Sequence, residues 1–234
     1  MRMLLSILAT AFVLAGVPGL ASAQDKADCK ELAYAEDLSN LSLGVIAGGR
    51  VNFVADESDR AECPSAGAAC RRRAFLRARD KVVFAKDARK PDYVCAAYVD
   101  GEGRQTSGWL PKASVKAATA PLNWIGAWKR KGDADINFKR KTAASIDVSG
   151  SATWGSAAMG NLEAPFMGEL SADFDPKLAV QGFSYDGESQ VAYGKGDGKD
   201  CAALMSQLGP YLFVVDNMQC GGLNVTFTGL YTRR

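Results

Sequence analysis

The 234-residue sequence predicts a mostly β protein of two small domains, the second an antiparallel β-barrel or sandwich. Three observations predict it. From Arg50 onward the chain is a series of short apolar runs at roughly even spacing, punctuated by Gly, Asp and Pro. An Ala/Lys/Thr-rich stretch containing Pro121 divides that series in two, as an inter-domain linker would. Six cysteines follow a leader that reads as an export signal, and an even cysteine count in an exported chain reads as disulfides.

Residues 1–23 have the layout of a secretory signal peptide. Arg2 supplies the charge, residues 3–17 are almost wholly apolar, and Ala21-Ser22-Ala23 is an A-x-A cleavage site. The apolar run falls short of the roughly 20 residues of a membrane span, and no second run follows. A mature chain from Gln24, periplasmic or secreted and with no membrane span, is therefore expected. Residues 24–49 read as an N-terminal arm, with a short helical possibility at 30–38 and then a Gly-rich stretch at Gly44, Gly48 and Gly49.

In the first domain the expected strands lie at 51–54, 74–76, 81–85 and 93–99, with a hairpin through Asp100-Gly101 returning along 106–111. Arg79-Asp80-Lys81-Val82-Val83, Tyr93-Val94-Cys95-Ala96 and Gly108-Trp109-Leu110 followed by Val115 resemble the bacterial SH3-type domain. That family has a turn into an apolar strand, a strand opened by an aromatic residue, and a late Gly-Trp-apolar step. The likeness covers residues 50–116, about a third of the chain, and implies an N-terminal SH3-like small barrel. The departure is the cysteine-bearing insertion at 56–73, where the family has a shorter loop.

Residues 117–123 are the expected linker, and residues 124–234 the second domain. Its expected strands lie at 124–128, 134–138, 145–149, 168–174, 178–185, 190–193, 201–208, 211–216 and 223–231. Gly126-Ala127-Trp128 resembles the step that opens lipocalin-like barrels. The ending, from Tyr211 through Gly229-Leu230-Tyr231, is similar to the C-termini of uncharacterised exported bacterial β domains.

Six cysteines allow 15 pairings. Cys63 and Cys70 flank a short Pro/Gly/Ala loop, and Cys201 and Cys220 lie on neighbouring expected strands. Cys29 is then left to meet Cys95. The chain has no histidine, which excludes Ser-His-Asp and Cys-His nucleophiles and His-ligated catalytic zinc. No metal or cofactor is expected. The formal charge of +2 becomes +1 when Arg2 leaves with the signal peptide, too little basic excess for a nucleic-acid partner.

Candidate binding residues fall into charged and aromatic groups. Arg71, Arg72 and Arg73 follow Cys70, with Arg77, Arg79 and Lys81 close behind, and Lys129, Arg130, Lys131 and Lys139, Arg140, Lys141 repeat the theme. If the strands between the two later triplets form a hairpin, both are expected near one end of it. Such clusters either attract an anionic polymer or blunt strand edges. Tyr93 and Tyr98 differ by an odd number of positions, so only one of them faces any one groove. Trp109 and Trp128 are expected in the cores. Carboxylate pairs such as Glu163 with Glu169 or Asp173 with Asp175 are the only raw material for catalysis, and no catalytic motif singles one out.

Export, the SH3-type resemblance and the missing catalytic set lead to one expectation, a non-catalytic cell-envelope binding protein. Its ligand, by the resemblance, is peptidoglycan or its stem peptides. The alternatives are an inhibitor or accessory partner of an envelope protein such as a lysozyme-type hydrolase, docking through a loop at 157–166, or a carboxylate-dependent glycan hydrolase.

Overall fold

The computed structural model describes Cys29, Leu32 and residues 38–86, 90–132, 134–155, 165–185 and 188–233. The expected signal peptide, most of the helical stretch at 30–38, and the loop at 157–166 up to residue 164, Glu163 included, lie outside the described residues. Among the described residues there is no α-helix, hence none long and apolar enough to cross a membrane. The chain is mostly β, in two antiparallel sheets.

The first sheet holds β1 (Leu41–Ile46), β2 (Val51–Val54), β3 (Arg71–Leu76), β4 (Lys81–Ala85), β5 (Tyr93–Val99), β6 (Gln105–Pro111) and β7 (Val115–Ala117). Its order is β3-β2-β6-β5-β4-β1-β7. Ile46, Phe53, Leu76, Val82, Val94, Ala96 and Leu110 form the core it packs on. The stretch read as an arm contributes β1, between β4 and β7. Gly44 makes that fit possible: a Cβ there would lie 2.7 Å from Val115 and 2.9 Å from Phe84. The missing side chain leaves room for the Val115 and Phe84 side chains of the two flanking strands.

The second sheet runs β8 (Gly126–Arg130), β9 (Ala134–Arg140), β10 (Ile146–Trp154), β11 (Phe166–Phe174), β12 (Val180–Tyr185), β13 (Gln190–Ala192), β14 (Ala202–Leu208), β15 (Tyr211–Asp216) and β16 (Gly229–Arg233). The order β11-β10-β9-β8-β16-β15-β14-β12-β13 makes it nearly a closed barrel. At the seam the Gln190 side chain accepts from the Asp173 N–H at 2.8 Å and donates to its carbonyl at 2.9 Å. Gly168 pairs with Gly221, and the Tyr185 hydroxyl donates to the Ser171 carbonyl at 2.6 Å. Polar side chains thus cover edge groups that a further strand would otherwise take.

Trp124, Trp128, Phe138, Phe174, Phe183, Leu212, Phe227 and Tyr231 fill the barrel. Both indoles keep a partner inside it: Trp124 donates to the Leu178 carbonyl at 3.1 Å and Trp128 to the Trp124 carbonyl at 2.8 Å. The last strand begins at Gly229 rather than at 223. The segment before it is committed to Asp216, whose Oδ1 accepts from the Thr226 and Thr228 hydroxyls at 2.5 and 2.6 Å and from the Thr228 N–H at 3.1 Å.

A third core lies between the sheets. Leu41, Leu43, Val83, Ala97 and Val99 of the first pack on Tyr211, Phe213 and Leu230 of the second, with Leu32 and Leu38 in the same cluster. The Tyr211 hydroxyl donates to the Lys81 carbonyl at 2.6 Å. β15 is therefore buried on both faces, since Leu212 and Val214 point into the barrel.

The disulfides are Cys29–Cys95, Cys63–Cys70 and Cys201–Cys220, the expected pairs, with Cα separations of 5.3, 5.6 and 4.4 Å. Three such bonds mark a non-cytoplasmic protein.

Candidate binding groove

A cavity of about 670 Å3 opens on the first sheet, where three segments meet. β3 supplies Arg73 and Phe75, the β3–β4 turn supplies Arg77 and Asp80, and the β5–β6 hairpin supplies Tyr98, Asp100 and Arg104. Both turns are held by carboxylates. Asp80 accepts from the Arg77 N–H at 2.7 Å. Asp100 accepts from the Glu102 and Arg104 N–H groups at 2.9 Å each and from Arg104 Nε at 2.8 Å.

Two solvent-reaching aromatic rings, Phe75 and Tyr98, with the buried Phe53, give the groove its apolar part. Phe75 is 36% exposed although it sits on a strand, with the Arg50 guanidinium 3.7 Å from its ring centroid and that of Arg77 at 5.7 Å. Stacked guanidinium groups keep an exposed ring covered while leaving their N–H edges for a ligand. Partial burial raises the Tyr98 pKa, with Asp80 and Asp100 adding to the effect, so its hydroxyl stays a donor through neutral pH. The Asp100 carboxyl is held below its usual range, first by the Arg104 N–H and then by the Arg104 side chain.

The charges in the groove are not equivalent. Arg104 is engaged by Asp100 and Glu102, both at 2.8 Å. Among the described residues neither Arg73 nor Arg77 forms an ion pair. The groove thus offers two arginines to an anionic group, with the Asp80 carboxylate at hand for a cationic one.

Of the two tyrosines, Tyr98 lines this groove. Tyr93 packs instead beside the cluster of Cys29, Cys63, Cys70 and Trp109 on the other side of β5. There Asp56, buried in the insertion, accepts from the Trp109 indole at 2.9 Å and the Cys29 N–H at 2.7 Å. Of the arginine triplet, Arg73 reaches the groove, Arg71 is exposed, and Arg72 turns to Asp59 at 2.6 Å and the Ser107 carbonyl at 3.0 Å.

The basic triplets of the second sheet do not share an end, which corrects the expectation. β8 and β9 do form a hairpin, but its turn lies directly after Arg130, which is paired with Ala134, while Gly126 meets Phe138. Lys129, Arg130 and Lys131 are at the turn, and Lys139, Arg140 and Lys141 are about 17 Å along the strand at a rise of about 3.3 Å per residue. Arg130 is also structural, its guanidinium donating to the Thr226 and Thr228 carbonyls. Lys141 pairs with Asp173 at 2.6 Å. Lys131 approaches Gly103 at the tip of the β5–β6 hairpin, which brings it to the rim of the groove.

Asp175 of the expected carboxylate pairs is used in its own turn, accepting from the Lys177 N–H at 2.9 Å, and Glu169 lies on the second sheet far along the chain from the groove. Arg77 belongs to the basic cluster that follows Cys70, whereas Phe75, Asp80, Asp100 and Arg104 were not singled out as binding residues by their sequence. The available signals were the exposed position of Phe75 on an edge strand and the Asp-Gly-Glu-Gly-Arg hairpin. Comparison with family models, curated proteins and solved structures finds no match to this chain.

Proposed function

We propose that this protein is an exported, non-catalytic binding protein of the cell envelope, with peptidoglycan stem peptides as its ligand. The groove carries the reading: it sets unpaired arginines beside carboxylates and two aromatic rings. Stem peptides carry carboxylates and an amine on a short extended chain, and this mixture suits a groove with both signs of charge. The sequence likeness to SH3-type domains and the export signal point the same way. Two of the three disulfides, with buried Asp56, brace the insertion and the strands behind the groove, and a rigid site loses less entropy on binding.

The test is co-sedimentation with purified sacculi. The mature chain is expected in the pellet, and Arg73→Glu with Arg77→Glu is expected to leave it in the supernatant. Wild-type protein that stays in the supernatant ends the reading.

A further inference from the structure

The outward face of β9, β10 and β11 has its own chemistry. Cross-strand register aligns Asp135, Ser151 and Glu169 in one row and Asn137, Ser149 and Ser171 in the next. Strand alternation sends Ile136, Val148 and Leu170 into the barrel core, so these six side chains leave the sheet on one side. The face is concave. A cavity of about 560 Å3 is lined by all six, together with Tyr185, Cys201 and parts of Gly150 and Leu170.

These side chains are not consumed by the fold. Among the described residues, Asp135, Asn137, Ser149, Ser151 and Glu169 have no side-chain hydrogen bond or ion pair within the protein. The next row along the same strands differs, because there Lys141 occupies Asp173 at 2.6 Å. At a strand spacing of about 4.8 Å, Asp135 and Glu169 stand about 10 Å apart with Ser151 between them.

We propose that this face is a second binding site, for a neutral oligosaccharide. A sugar presents rows of hydroxyls that each donate and accept. The two carboxylates and the Asn137 amide oxygen accept from adjacent hydroxyls, while the serines and the amide nitrogen donate. A cavity of this volume is in the range of small-ligand sites. The three strands hold the groups in fixed positions, which spares ordering entropy. An apolar ligand would strand six polar groups, and Asp135 with Glu169 repels a polyanion. A polycation is the competing chemistry. Lys129 disfavours it, standing directly opposite Asp135 in the register and offsetting one of the two negative charges.

The site is separate from the groove of the first sheet, and peptide-free probes keep the two apart. The isotope-labelled chain is titrated with cellotetraose, with tetra-N-acetylchitotetraose, and with spermine, and read by amide chemical shifts. Saturable shifts confined to β9–β11 are expected with at least one sugar, with a dissociation constant on the order of 1 mM. Asn137→Ala and Glu169→Gln are each expected to weaken binding about tenfold, with shifts elsewhere unchanged. Lys177→Ala, outside the face, leaves it unaltered. Absence of saturable shifts with both sugars at about 10 mM overturns the proposal. Saturation by spermine alone overturns it as well.

Discussion

The second sheet, nearly closed into a barrel, has two outward faces of opposite character. Across β14–β16 the outer positions are apolar, among them Tyr211, Phe213 and Leu230, and they lie under the first sheet. Across β9–β11 they are Asp135, Asn137, Ser149, Ser151, Glu169 and Ser171, and they line an open concavity. One sheet thus serves as a docking platform on one side and a polar face on the other. The difference is written in periodicity. β15 is apolar at five consecutive positions, as a strand covered on both faces must be, whereas β11 alternates buried and exposed along most of its length.

The comparison is tested hardest at Phe213, which has no solvent exposure and sits between the two sheets. Phe213→Ala should cost about 4 kcal/mol in chemical denaturation. It should also separate one unfolding transition into two, because the shared layer is what makes the units cooperate. A single transition with a loss under about 1 kcal/mol would show that the two sheets do not depend on this layer.

Disulfide removal sharpens the same contrast. Cys95 borders the inter-sheet core, and its bond to Cys29 spans a sequence separation of 66, against 7 for Cys63–Cys70. In the chain-entropy account the longer loop restricts the unfolded chain more, about 4 against about 2.5 kcal/mol, with strain subtracting from both. Replacing Cys29 and Cys95 by alanine should therefore lower the denaturation midpoint further than replacing Cys63 and Cys70. The reverse order would mean that the insertion, not the long tie, governs stability.

Tyr211 gives the interface a pH signature. Burial raises its pKa well above the ordinary tyrosine value, and the charge on Tyr98 would add to the shift. The folded state therefore favours the neutral phenol. That stability is complete below the unfolded pKa of about 10 and is lost as pH rises from there toward the folded value. Tyr211→Phe should cost about 1 kcal/mol at neutral pH, by leaving the Lys81 carbonyl unpaired. It should also flatten the alkaline fall in stability. If wild type and variant lose stability in parallel above pH 10, the ionisation of another group controls the alkaline limit.

Much of the fold was legible and the juxtapositions were not. β2, β4, β5 and β15 have the bounds their apolar runs indicate, because alternation or continuous burial marks each one locally. β1 was hidden by Gly44, whose small size serves a contact with Val115 and Phe84 that only the folded sheet reveals. The disulfides were legible because short loops and neighbouring strands restrict the pairings. The groove was legible in part. Tyr98, Arg73 and Arg77 stand out by residue type, but Asp80, Asp100 and Arg104 join them only through two turns distant in sequence. The basic triplets misled because their spacing resembles a hairpin's two ends, and only the register tells which end each occupies.

The smallest effect is expected on the open face, at adjacent residues of β10. Ser151 points outward, is exposed, and makes no side-chain hydrogen bond among the described residues. Ser151→Ala removes only a solvated hydroxyl and should change stability by less than about 0.5 kcal/mol. Gly150, one position earlier, points inward. A Cβ there would lie 3.0 Å from Leu170, 3.1 Å from the Asp135 carbonyl and 3.1 Å from Phe227. Gly150→Ala should cost about 1 to 3 kcal/mol, since the flanking backbone and the packed ring cannot both give way. Thermal melts of the two variants side by side measure the difference. If Ser151→Ala costs as much as Gly150→Ala, the hydroxyl is holding the sheet, and the outward face is not a set of groups left free for a ligand.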